Sequence, residues 1–303
     1  MTVDERAGLA EEFEAYRPRL RAVAYRMLGS LSEADDAVQE TWLRLSRHSG
    51  PGEVENLGGW LTTVVARICL DALRRRDSRR EEPLATRFPD PVVSASEGID
   101  PEHEALLADA VGLALLVVLD TLAPAERLAF VLHDTFGVPF EEIGRLVGRS
   151  PNAAAQLASR ARRRVRRAAT TPDVDLARQR AVADAFLAAA RTGDFAALVS
   201  VLDPDVVLRA DRGAAAGGPA LLRGAAAVAR QALSYARLAP FSRPVLVNGA
   251  VGFVPALGGR PVAVIALTVR GGRITAIDIL ADPDRLSHLP LPGWVAAPDL
   301  RES

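Results

Sequence analysis

Apolar residues recur at helical spacing through the first 80 positions. Phe13, Tyr16, Leu20, Val23, Met27 and Leu28 mark one face of a first helix, which Gly29-Ser30 closes. Ser32 is the expected N-cap of a second helix, with Asp35 reaching back from the third position. That helix sets an apolar stripe (Ala34, Ala37, Val38, Thr41, Trp42, Leu45) against Glu33, Asp36, Gln39 and Glu40. A third helix follows the turn-rich SGPGEVENLGG and presents Trp60, Leu61, Val64, Val65, Ile68, Cys69, Ala72 and Leu73 before ending in RRRDSRR. Residues 81–101 hold four prolines and no sustained period, so they read as a linker.

Helical spacing resumes over 102–167. One apolar helix runs to Leu122, and Pro124 opens another that carries Leu128, Phe130, Val131 and Leu132 towards Phe136. After Gly137-Val138-Pro139 a short helix shows Phe140, Ile143, Leu146 and Val147. Gly148-Arg149 turns the chain, Ser150 caps the next helix, and Pro151 starts it. Its inward set is Ala154, Leu157, Ala158, Ala161 and Val165. From about residue 174 the pattern mixes periods. A helix (LARQRAVADAFLAAARTGD) leads to the strand-like DVVLRAD, then to a glycine/alanine stretch and the helix RGAAAVARQALSYARLA. Three strand-like segments follow: PVLVNGAVGFVP, PVAVIALTV and RITAIDIL. Arg270-Gly271-Gly272 joins the last two as a hairpin. This half reads as an α+β domain with one sheet curved over a helix.

The length, 303 residues, suits two or three domains, each with its own core. A single cysteine excludes a disulfide framework or a thiolate metal cluster. The charged N-terminus does not resemble a signal peptide, and no apolar run reaches the roughly 18 residues of a membrane span, so a cytoplasmic location is expected. Net charge is only −1, and this total hides segregation. Residues 81–144 carry −11, whereas 67–80 carry +4 and 145–167 carry +8 with no acid at all. Two short basic patches in an acidic half point to two localised contacts with a polyanion.

Residues 139–167 have the form of a helix-turn-helix, whose second helix enters the major groove. Asn152, Ala153 and Gln156 lie on its first turns, where base edges are read, and amides pair bidentately with adenine. Arg160 and Arg163 stand further along, suited to phosphates. The other patch combines Trp60 with Arg67, Arg74, Arg75 and Arg76, a set able to track a strand while bases stack. No nucleophile elbow, phosphate loop or dinucleotide fingerprint is present, and the four histidines lie far apart in sequence, so no metal or cofactor is expected. Asp211 and Asp278 come nearest to an acid/base pair.

SEADDAVQETWLRL within Phe13–Leu45 resembles region 2 of the extracytoplasmic-function (ECF) sigma factors of bacterial RNA polymerase. Gly59–Arg76 resembles that region's promoter-melting helices, and Leu119–Val165 resembles region 4. The C-terminal part is similar to SnoaL-like domains of the nuclear-transport-factor-2 superfamily, cone-shaped folds with a pocket, which some ECF sigma factors carry as a regulatory extension. The resemblance implies a multidomain protein. Its parts are a region 2 helical bundle (8–80), a linker (81–101), a region 4 helix-turn-helix (102–169) and an α+β cone-shaped SnoaL-like domain (174–290).

The same resemblance implies roles. Asp35, Asp36, Val38, Gln39 and Glu40 match the segment that docks on the clamp helices of the polymerase largest subunit, and the flap is a further polymerase contact. Asn56, Trp60, Arg67, Asp71, Arg74 and Arg75 fall where the −10 element is bound. Ser150, Asn152, Ala153, Gln156, Arg160 and Arg163 fall on the helix that reads −35. Counterparts of the extension's regulatory motifs are Phe88, Pro89, Asp90 and Pro91, then Asp211, then Asp282, Pro283, Asp284, Arg285 and Leu286. The implied partners are core RNA polymerase and promoter DNA, with a small-molecule ligand in the C-terminal pocket. The implied protein is not an enzyme. Two other readings remain: a polymerase-independent, ligand-sensing helix-turn-helix regulator, and a SnoaL-type cyclase using Asp211.

Overall fold

The computed structural model describes residues 3–47, 56–78, 88–95, 112–168, 172–173, 175–213 and 220–293. Much of the SGPGEVENLGG loop, the ends of the 81–101 segment and most of the glycine/alanine stretch therefore lie outside the described residues. The chain divides into two compact units, Met1–Leu84 with Val118–Ala168, and Ala85–Val117 with Ala169–Ser303.

The first unit is helical. α1 (Val3–Leu28), α2 (Leu31–Arg47) and α3 (Leu57–Ser78) pack on one another. Their apolar stripes meet in a core that includes Phe13, Leu20, Val23, Met27, Ala34, Val38, Leu61, Val65 and Cys69. The ring centroids of Phe13 and Trp42 lie 5.2 Å apart. Burial pushes the Cys69 thiol up to about 12, as befits a core residue. The start of α2 differs from the sequence expectation. The helix begins at Leu31, the Ala34 N–H donates to the Ser30 carbonyl, and Ser32 sits inside the first turn. Asp35 turns outward to Arg21 because Leu31 and Ala34 already occupy the inward face.

After α4 (Leu113–Asp120) come α5 (Pro124–Phe130) and a π-helical turn over Val131–Thr135. Wider i→i+5 turns of this kind re-aim the side chains that follow. Arg127 is 1% exposed, donates from Nε to the Arg26 carbonyl (3.1 Å) and pairs with Asp120 (3.0 Å). The Phe136 ring lies under the guanidinium groups of Arg26 (5.2 Å) and Arg19 (5.9 Å). The unit thus ties α1 to the segment 124–136. α6 (Phe140–Val147) and α7 (Pro151–Arg167) complete it.

The second unit is α+β. α8 (Leu176–Thr192) and α9 (Phe195–Val201) precede β2 (Leu202–Asp211), β3 (Ala220–Arg223) and α10 (Ala225–Ser234). A 3-10 turn over Ala236–Phe241 leads into β4 (Ser242–Val247), β5 (Ala250–Leu257), β6 (Arg260–Pro261), β7 (Val264–Arg270), β8 (Arg273–Leu280) and α11 (Pro283–Ser287). With β1 (Val93–Ala95) the sheet order is β1-β4-β5-β7-β8-β2-β3, β6 pairing with β5. Only β2 and β8 run parallel among these pairings. α8 packs on β5 and β7, and Phe186, Leu198, Val228, Phe253, Leu267 and Ile277 join one core.

Two departures from the sequence reading concern the edge of the sheet. PVLVNGAVGFVP is two strands, because Asn248 (φ 50°) and Gly249 (φ 77°) make the two-residue turn that matches strand twist. The proline-rich segment read as linker contributes an edge strand, Val93–Ala95 pairing antiparallel with Val245–Val247. Asn248 completes that junction: its Oδ1 accepts from the Val92 N–H (3.1 Å) and its own N–H donates to the Val92 carbonyl (2.8 Å).

Candidate nucleic-acid interface

The helix-turn-helix forms as its local signals dictate. Gly148 ends α6 in the left-handed region (φ 68°), and the Ser150 hydroxyl accepts from the Ala153 N–H at 3.3 Å. A Cβ on Gly144 would fall 2.7 Å from the Arg149 carbonyl oxygen, so a glycine is required for the turn to close. Ala154, Leu157, Ala158 and Ala161 are buried against α5 and α6. Asn152, Gln156, Arg160 and Arg163 therefore share the exposed face, with Ala153 beside them. Acids hold part of this face in the free chain. Arg160 donates to Glu126 at 2.7 Å, Arg164 approaches the other oxygen of the same carboxylate at 3.7 Å, and Arg162 pairs with Asp134 at 2.7 Å. Exposed pairs of this kind contribute about 0–1 kcal/mol each, so a phosphate can displace them. Arg163 extends outward with no ion pair among the described residues.

On α3 the Asn56 side chain caps the helix, its Oδ1 accepting from the Gly59 N–H at 2.9 Å. Arg67, Asp71, Arg74 and Arg75 line an exposed strip from half-buried Trp60. Asp71 lies 3.8 Å from Arg74, and its carbonyl accepts from Arg75 (3.2 Å). Arg76 does not belong to this strip. It turns inward, donating to the Leu28 carbonyl (3.1 Å) and pairing with Glu33.

The acidic face of α2 is more selective than the sequence suggests. Asp35 is held by Arg21 (2.6 and 3.2 Å) and Glu40 by Arg44 (2.9 Å), while Asp36 and Gln39 are exposed. Val38, 1% exposed, faces the core. It fixes the helix and cannot touch a docking surface, because Ala34, Ala37 and Thr41 place that side of the helix inward.

In the second unit, three motifs separated in sequence converge on Arg285. Its guanidinium donates to Asp90 (2.5 Å), to the Phe88 carbonyl (2.6 Å) and to Asp211 (2.8 Å). Asp282 caps α11, accepting from the N–H groups of Asp284 (2.9 Å) and Arg285 (3.4 Å), and Pro283 opens the helix. Phe88, Pro89, Pro91 and Leu286 are buried, whereas Asp284 is exposed and forms no part of the contact. The two acids singled out as an acid/base pair are both engaged. Asp211 holds Arg285, and Asp278, fully buried, holds Arg209 through two bonds of 2.5 and 3.0 Å. Burial works against the Arg209 charge, yet the adjacent carboxylate more than compensates and its pKa is raised. No cluster of three or more metal-ligating side chains occurs among the described residues.

The Sigma-70 region 2 family matches residues 13–79 and the Sigma-70 region 4 family matches residues 112–165. The ECF RNA polymerase sigma factor SigJ of Mycobacterium tuberculosis is 39% identical over 295 residues, covering 92% of this chain and 94% of that protein. This chain belongs to the ECF sigma factors. A probable ECF sigma factor of the same organism, SigI, is 37% identical over 287 residues, 91% of this chain and 94% of that one. The crystal structure of SigJ superposes with a TM-score of 0.74 at 36% identity, over 93% of this chain and all of that one. Similarity along nearly the whole length extends to the SnoaL-like unit, so a free-standing regulator or an enzyme with an accessory helical half is the poorer description.

Several residues that shape this sigma factor escaped the sequence reading. Glu126, Asn248 and Arg209 act through partners 34, 156 and 69 positions away. No local signal finds such pairs. Asn248-Gly249 is the exception, since that dipeptide is a turn signal in its own right.

Proposed function

We propose that this ECF sigma factor directs core RNA polymerase to −35 and −10 promoter elements, and that its C-terminal unit regulates it by gripping the segment between the two DNA-reading modules. Asp36 and Gln39, flanked by Asp35 and Glu40, form the docking face for the clamp helices, and region 4 meets the flap. Asn152, Ala153 and Gln156 read −35 base edges. Arg160 and Arg163 bind its phosphates, and Ser150 fixes the turn. Trp60, Arg67, Asp71, Arg74 and Arg75, with Asn56 at the head of the helix, engage the −10 element. The chain acts in the cytoplasm, performs no covalent chemistry, and answers to a small molecule in its C-terminal cavity.

One observation carries the regulatory part. Arg285 binds Asp90 and Phe88 while the strand Val93–Ala95 joins the C-terminal sheet, and residues 88–95 fall between the region 2 and region 4 matches in the chain. Whatever loosens that grip lengthens the tether between the two modules. Run-off transcription with purified core polymerase tests this. The full chain should yield a transcript that depends on both promoter elements, and Arg285→Ala should change its yield several-fold. Identical output from variant and parent would remove the regulatory role.

The division of α7 makes a separate prediction. Arg163→Ala should weaken −35 binding on every sequence and lower the log–log salt slope by about one unit. Asn152→Ala should cost about 1–3 kcal/mol on the preferred sequence only and leave the slope intact. Binding titrations at several salt concentrations separate the two; indistinguishable behaviour would refute the division.

A further inference from the structure

A cavity of about 500 Å³ opens in the second unit, and its walls are graded in polarity. β3, β2 and β8 form one wall. Leu222, Leu208 and Ile277 stand side by side in register at one level, and Ala220, Ala210 and Ile279 at the next. Arg212 and Ala281 follow, one step beyond the strand ends. From Leu208 to Arg212 the wall therefore runs four residues, about 13 Å, from a buried hydrocarbon end to a guanidinium. The buried Nε of Arg212 has no hydrogen-bond partner among the described residues. Among the described residues, Arg237 is the other charged side chain of the lining, and no acid is among those that form it. Tyr235 and Leu257, which also line the cavity, are 46% and 42% exposed.

We propose that this cavity binds a carboxylate-headed amphiphile, its apolar body against Leu208, Leu222 and Ile277 and its carboxylate on Arg212. The inference rests on the reading of this cavity as the ligand site of the regulatory unit and names the ligand's chemistry. A neutral hydrocarbon of the same shape would fill the apolar end and leave the buried guanidinium nitrogen unmatched, and a cation would meet two like charges. A carboxylate satisfies the planar donor fork and needs no further counter-charge. The acids nearby do not compete for this role, since Asp211 is committed to Arg285 and Asp278 to Arg209, and neither lines the cavity.

Calorimetric titration of the full chain with dodecanoate, dodecan-1-ol and dodecyltrimethylammonium, each below its micelle concentration, tests the proposal. Dodecanoate should bind at one per chain, the alcohol at least tenfold more weakly, and the ammonium not measurably. Arg212→Gln should erase the preference for acid over alcohol, and Arg237→Gln, at the exposed rim, should change it less than threefold. Equal one-to-one binding of acid and alcohol would overturn the head-group assignment and leave the cavity standing as a ligand site. Absence of saturable binding by either would overturn the cavity reading itself. Loss of preference in the Arg237 variant would move the head group off Arg212. The comparison of ligands on the parent chain decides the matter even if the Arg212 variant does not fold.

Discussion

Asp36→Arg should lower run-off transcription by about 100-fold, the equivalent of about 3 kcal/mol of lost association with core polymerase. The effect is large because Asp36 is exposed and has no internal ion pair among the described residues, so its charge is free for a partner. Asp35→Arg makes the informative contrast: that carboxylate is already shared with Arg21, and part of any loss would come from α1. Folding of the Asp36 variant should be unchanged, since an exposed helix position usually shifts stability by less than about 0.5 kcal/mol. Its binding to a promoter fragment carrying a −35 element should equal the parent's. A pull-down with core enzyme and a mobility-shift assay together give the answer; transcription that survives the reversal would place polymerase docking elsewhere.

Arg209→Met should destabilise the second unit by about 3–5 kcal/mol, the usual consequence of stranding a buried charge. Asp278 is fully buried on β8 and faces Arg209 across the parallel β2–β8 ladder. Removing the guanidinium leaves that carboxylate without its two strongest donors. Because hydrophobic replacement of both partners is often close to neutral, Arg209→Met with Asp278→Leu should recover most of the loss. Thermal or urea unfolding of the parent, single and double variants measures this. A single variant as stable as the parent would show that the pair carries little of the sheet's stability. Neither side chain lines the cavity, so the surviving folded fraction should keep its ligand preference.

The helix-turn-helix was legible because its determinants are local. Gly148, Ser150 and Pro151 each act within a few residues, and the inward alanines of α7 recur at a fixed period. The same holds for the hairpin at Gly271-Gly272, whose residues sit at φ 59° and 77°. Elements made by distant partners were not legible. β1 pairs with Val245–Val247, about 150 positions away, and its three residues follow prolines that suggest a loop. β3 is four residues long and falls where the sequence shows only the end of a glycine/alanine stretch and the first residue of a helix. Within the candidate sites, periodicity places the exposed stripe of α7 and the buried side of Val38 correctly, whereas the docking role of Val38 comes from motif position and the place of Arg76 in the basic patch from charge clustering. Helix phase decides such cases: Val38 lies four residues after Ala34 on the buried side. Arg76 reaches back towards the end of α1, where the Leu28 carbonyl lacks an intrahelical donor.

The strand taken from the middle of the chain also protects the C-terminal sheet. Val93–Ala95 covers the hydrogen-bonding edge of β4, which carries Val245, Leu246 and Val247 in succession. Detaching that segment bares a run of β-branched and aliphatic backbone that another chain could extend, the hazard of any uncovered strand margin. Under the proposed release of the tether, the molecule would become adhesive as well as longer in reach. Self-association at low polymerase concentration would be the signature of that released form.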